Sequence, residues 1–172
     1  MSIYLLELVC GIMICYFIQA KSTIEKNKKI GLAILIAMLS LVGGFRALNI
    51  GTDIGVYGKK YFEIAVSHNN LFEYLHYFSS AEYGYLFINF IVSRFTSNVS
   101  IFLLVLQLIC NTLVIITLYH YREKCPLWMS YTVYFCFFYG LTFNIMRQAC
   151  ALSIIFFAIR FLDQKKWIYY CI

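Results

Sequence analysis

Apolar residues fall in long unbroken runs along this chain, and polar residues are confined to the stretches between them. The runs cover residues 3–20, 30–45, 99–119, 127–143 and 148–162, the second reaching towards Leu48. A bilayer core takes roughly 20 residues of helix to cross, so each run predicts a transmembrane helix. A further run opens at Trp167 and stops at Ile172, which predicts an N-terminal fragment of a longer chain. The first run lacks a basic leader and reads as a spanning helix, not a cleaved signal.

Residues 46–98 break the pattern with four basic and four acidic side chains among many aromatics. Tyr57, Tyr61, Ile64 and Ala65 recur at helical spacing, as do Leu71, Phe72, Leu75 and Phe78. Lys59, Lys60, Glu63, His68 and Glu73 fall between them, which predicts two short amphipathic helices lying on a membrane. Residues 82–95 are apolar but would span only about 21 Å as a helix, short of a bilayer core. Their placement decides the topology. If they lie in the interface, the basic loops at 21–29, 122–124 and 165–166 share one side, as the positive-inside rule favours. Arg46, Asp53, Glu82 and Arg147 then share the other, outer side.

Composition sharpens this reading. The 172 residues are 62% hydrophobic and 13% charged, with mean hydropathy +0.77. Soluble domains carry about a quarter charged residues, so the expected fold is an all-α polytopic membrane protein. It has about five transmembrane helices and the start of a sixth in a single membrane domain, with 46–98 as an outer-face loop. The net charge of +6 sits mostly in loops that orient helices and implies no nucleic-acid partner. The seven cysteines lie in or beside predicted spans without metal-ligand spacing.

Charge at a membrane edge is costly and tends to mark function. Three blocks qualify: Arg46-Ala47-Leu48-Asn49-Ile50-Gly51-Thr52-Asp53, Glu82-Tyr83-Gly84-Tyr85, and Asn144-Ile145-Met146-Arg147-Gln148. Arg46 could snorkel to headgroups, and Asp53 could cap the helix that follows. A carboxylate at an apolar boundary could equally act as a general base. Glu82 closes Ser79-Ser80-Ala81-Glu82, the spacing of a capping box, or it could hydrogen-bond sugar hydroxyls. Tyr83 and Tyr85 could stack on sugar faces. Arg147 opens a helix, flanked by Asn144 and Gln148, and its guanidinium suits a phosphate or diphosphate. The three histidines share no ligand spacing, and nothing in the sequence requires a metal or other cofactor. Asn98-Val99-Ser100 fits a glycosylation sequon, a short pattern of low specificity. The spans are nearly free of charge apart from Glu7.

Taken together, the blocks resemble the EpsG family of polysaccharide polymerases, related to Wzy-type polymerases and more distantly to GT-C glycosyltransferases. The resemblance rests on Phe45-Arg46, Asn49-x-Gly51-Thr52-Asp53 and Tyr57, on Glu82-x-Gly84-Tyr85, and on Met146-Arg147-Gln148-Ala149 leading into a hydrophobic helix. It spans residues 40–166. Relatives often carry proline where Tyr83 stands and glycine where Ile145 stands; neither departure removes a charge. The resemblance implies a multi-pass enzyme of a bacterial inner (plasma) membrane, with its active site on the outer face. It would join polyprenyl-diphosphate-linked oligosaccharides into exopolysaccharide, capsule or O-antigen, alongside other polysaccharide-assembly membrane proteins. Asp53, Glu82 and Arg147 are then the expected catalytic residues. Arg46, Asn49, Thr52, Tyr57, Tyr83, Tyr85, Asn144 and Gln148 are the expected substrate-binding residues. A flippase for the same lipid-linked sugars and a non-catalytic scaffold of an export complex are the competing classes.

Overall fold

A computed structural model describes residues 2–20, 24–78 and 82–163. The apolar run after Trp167, the lysines at 165–166, Cys171 and the serines of the expected capping box lie outside the described residues. Regular structure among the described residues is helical throughout.

Helix α1 (Ser2–Gln19) packs against α2 (Glu25–Gly44). The second helix starts five residues before its apolar run, because Glu25 and Lys28 pair at 2.8 Å one turn apart and carry the lysine-rich segment into the helix. It ends at a glycine pair whose bareness is required: a Cβ on Gly44 would lie 2.5 Å from the Leu104 Cα. That close approach sets α2 along α6 (Val99–His120), the longest described helix. Asn98 starts α6 by accepting a hydrogen bond from the Ser100 amide at 2.9 Å.

Residues 127–144 form one long rod with a loosened centre. Helix α7 (Leu127–Val133) passes through a π-helical stretch at 134–139 into α8 (Leu141–Asn144). Helix α9 (Met146–Asp163) then packs back along α6. Away from the charged end, Gln19 clasps the turn between α6 and α7. Its amide donates to the Arg122 carbonyl at 3.2 Å and accepts from the Leu127 amide at 2.8 Å.

Between α2 and α6 the chain forms a second π-helical stretch at 54–59, then α3 (Lys60–Ser67), α4 (Leu71–Tyr77) and α5 (Tyr83–Ser93). Lys59, Lys60 and Glu63 face out as expected, but of the expected stripe only Ala65 is fully buried; Tyr57, Tyr61 and Ile64 are half-buried and Phe62 turns inward beside Ala65. In α4 the fold departs from expectation. Tyr74 is the buried residue and Phe72 points outward, 79% exposed. Tyr74 donates to the Tyr61 carbonyl at 3.2 Å and packs on Phe78 and Phe90, so α3 and α5 decide which face of so short a helix is covered. Helix α5, at 11 residues, extends about 16 Å, less than a bilayer core.

Among the described residues two helices, α2 (20 residues) and α6 (22 residues), are long and apolar enough to cross a membrane. Leu5, Leu6 and Val9 on α1, Ile34 and Leu41 on α2, and Leu152, Ile154 and Ile155 on α9 stand exposed. So much uncovered apolar surface calls for lipid or protein against it.

Candidate functional site

The three charged blocks meet at one end of the bundle, and Met146 sits among them. Where α2 stops, Arg46 folds inward to 6% exposure. Its Nη1 donates to the Gly43 carbonyl and its Nε to the Ile50 carbonyl at 3.1 Å. Its Nη2 lies 3.5 Å from the Met146 sulfur, and the guanidinium covers the Phe143 ring at 4.5 Å. Burial pushes its pKa down to about 10. Arg46 therefore neither snorkels nor offers an open anion site; it ties the end of α2 to α8 and α9. This corrects the expectation that it binds substrate directly.

The loop after Arg46 is laid onto the end of α8. Gly51 adopts φ +113°, a conformation L side chains avoid, and a Cβ there would sit 2.3 Å from the Phe143 carbonyl oxygen. The Thr52 amide donates to the Asn144 side-chain oxygen at 3.3 Å, and the Thr52 hydroxyl to the Asn144 carbonyl at 3.5 Å. These contacts bring the first and third blocks together across 92 residues of sequence.

The π-helical stretch at 54–59 then presents Tyr57. Arg147 stacks on that ring, 3.7 Å from guanidinium carbon to centroid, and its Nη1 pairs with the Glu82 carboxylate at 3.1 Å. The Arg147 side chain is 22% exposed and that of Glu82 56%. The Arg147 Nε is buried without a hydrogen-bond partner. Glu82 is the N-cap of α5 but accepts no capping bond. Among the described residues its carboxylate pairs with Arg147 across the fold; the Ser79 end of the expected capping box lies outside them.

Tyr85 is 5% exposed, and its hydroxyl donates to the Tyr57 carbonyl at 3.2 Å. Burial raises its pKa; the nearby Arg147 charge opposes the shift and the Asp53 charge adds to it. A phenol so enclosed cannot present its face to a sugar, contrary to expectation, and it supports Tyr57 from beneath. Asp53 is half-buried, caps nothing, and has neither hydrogen bond nor ion pair among the described residues. Asn49, Tyr83 and Gln148 are exposed and make no side-chain hydrogen bond. Among the described residues no group of three or more His, Cys, Asp or Glu gathers.

Sequence reasoning passed over two features. One is the packing role of Met146, which enters the sequence reading only as part of a motif; it touches Arg46 and would lie 3.0 Å from a Cβ on Gly58. The other is a buried polar layer: Glu7, Ser40, Gln107, Asn111, Thr142 and Tyr139. Gln107 and Asn111, four apart on α6, were the available signal.

The fold and site define an all-helical protein with membrane-length helices and an arginine–carboxylate cluster at one end. The chain belongs to the EpsG family, whose model matches residues 29–172. Comparison with curated proteins gives no match, nor does comparison with solved structures.

Proposed function

We propose that this chain carries the charged site of a Wzy-like polysaccharide polymerase, joining sugar units held on polyprenyl diphosphate. EpsG membership supports the class. The observation that carries the site assignment is the Glu82–Arg147 pair stacked on Tyr57. Three separated sequence blocks supply that cluster, and they are the blocks on which the family resemblance rests.

The chemistry follows from the arrangement. Arg147 opens α9, where backbone N–H groups and the helix dipole favour an anion. Its remaining Nη hydrogens, set in a fixed fork, suit a diphosphate better than a point charge would. The acceptor hydroxyl attacks the anomeric carbon of the donor sugar, and the bond from that carbon to the diphosphate oxygen breaks. Arg147 stabilises the charge gathering on the leaving diphosphate. The hydroxyl proton passes to Asp53, the carboxylate without a cationic partner. Glu82 holds Arg147 and, more than half exposed, reaches sugar hydroxyls. Tyr85 fixes Tyr57, and Arg46 fixes Met146 behind Arg147. Asn49, Tyr83, Asn144 and Gln148 supply the polar and aromatic rim.

In this reading the chain crosses a bacterial inner membrane about five times in a single membrane domain and begins a sixth crossing, in a GT-C-like arrangement. Helices α3–α5 lie at the outer face above the lipid tail. A flippase needs a polar route through the bilayer. The buried polar groups here bond mainly to one another, as Gln107 does to Thr142 at 3.0 Å and Tyr134 to Asn111 at 2.8 Å. That pattern favours a packed interior over a conduit.

The test is polymer formation from lipid-linked repeat units by the purified full chain. Arg147→Ala is expected to lower turnover by about 10²–10³-fold while inserting normally. Unchanged turnover removes the arginine from the mechanism. In cells, the same variant should leave single repeat units at the outer face, whereas a lost flippase leaves them inside.

A further inference from the structure

We propose that Glu7 is held as a neutral carboxylic acid whose proton is donated to the Tyr139 hydroxyl, making this a proton-binding site inside the helix bundle. Glu7 lies outside both the family match at 29–172 and the charged cluster, so the inference stands apart from the proposed polymerase chemistry.

The argument is a count of hydrogens. Glu7 is 1% exposed, on the face of α1 opposite the exposed Leu5, Leu6 and Val9. The Tyr139 hydroxyl lies 2.7 Å from the Leu39 carbonyl oxygen and 3.1 Å from the Glu7 Oε1. A phenol has one hydrogen, and a carbonyl can only accept. The closer Leu39 oxygen takes that hydrogen. The contact with Glu7 is then a hydrogen bond only if the carboxyl supplies the proton.

The surroundings agree. The Glu7 Oε2 is buried with no hydrogen-bond partner. As half of a carboxylate it would be an uncompensated charge in an apolar setting; as the carbonyl oxygen of an acid its cost is far smaller. The ionisable groups facing Glu7 are Tyr131, Tyr134 and Tyr139, from the rod at 127–144. Tyr131 donates to the Glu7 backbone carbonyl at 3.2 Å, not to the carboxyl. From α2 come the Leu39 carbonyl and no ion pair with Glu7. Arg46, whose charge reaches Tyr139 and Tyr4, has its donors committed to Gly43, Ile50 and Met146. Among the described residues no cation is placed to hold a carboxylate here.

Tyr139 also stacks edge-on against Phe143 at 5.0 Å, and Phe143 lies under Arg46. The Glu7 proton therefore braces the aromatic stack beneath the charged end. Infrared absorption of the full chain in lipid at neutral pH tests this. The wild-type spectrum minus that of Glu7→Gln should show a protonated carboxyl C=O band, lost in the variant, with no matching loss of carboxylate absorption. A difference showing a carboxylate band instead overturns the proposal. Should the variant fail to insert, the wild type alone decides. With eight side-chain carboxyls in all, a protonated band must persist after the exposed ones have ionised, and its disappearance overturns the assignment.

Discussion

Tyr57 shows what a single ring contributes to a charged site. Its face carries the Arg147 guanidinium while Glu82 takes one edge of the same group, so the arginine is held on two sides and keeps about a fifth of its side chain exposed. An ion pair this exposed is worth at most about 1 kcal/mol, and the ring adds a similar amount. Tyr57→Leu is expected to keep the fold and raise KM for lipid-linked substrate several-fold, with a smaller change in kcat, as steady-state kinetics would show. Tyr85→Phe removes the bond to the Tyr57 carbonyl at a cost of about 1 kcal/mol. Thermal unfolding in detergent would register that as a lowered midpoint. The sequence marked Arg147 and Glu82 through their isolation at helix starts. It misjudged Arg46 and Tyr85, because polarity alone cannot tell an edge residue that faces outward from one folded back beneath its own helix.

At the scale of elements, long apolar runs were easily read. The rod at 127–144 and α6 end within a residue or so of the expected limits, since the ends of a long apolar run are read directly from the sequence. Short elements were harder. The outward Phe72 was settled by neighbours of Tyr74 in α3 and α5, away from α4 in sequence. Both π-helical stretches carry a tyrosine to a polar partner: Tyr57 to Arg147, and Tyr139 to Glu7 and Leu39. Such insertions recur at functional sites, yet no residue pattern announces them. Gly51 stood in the sequence only as part of a motif, and its role proves specific. Gly51→Ala meets both a forbidden φ and the Phe143 carbonyl. It should detach the 46–53 loop from α8 and abolish polymerisation, while α2 and α6 still insert. Protease cleavage within the loop, absent in the wild type, would report the release.

Across the whole molecule, the gathering of blocks at one end was legible only through charge and span counting. That reasoning orders helices without saying how near their ends come. The contacts between Thr52 and Asn144, and between Glu82 and Arg147, supply the nearness. Cysteine substituted at Asn49 or Gln148 should react with a membrane-impermeant thiol reagent from the outside of intact cells. Cysteine at Lys124, near the opposite end, should react only after permeabilisation. Equal labelling from one side at all three positions would break the proposed topology.

The Gln19 clasp bears on how this chain is built. Its two bonds reach across 103 and 108 residues, so α1 is fastened at this point only once the start of α7 has been made. Until the stretch beginning at Leu127 arrives, the amide of Gln19 has no counterpart and α1 must wait loosely beside α2. Closure of that single side chain records that α7 has been brought back beside α1.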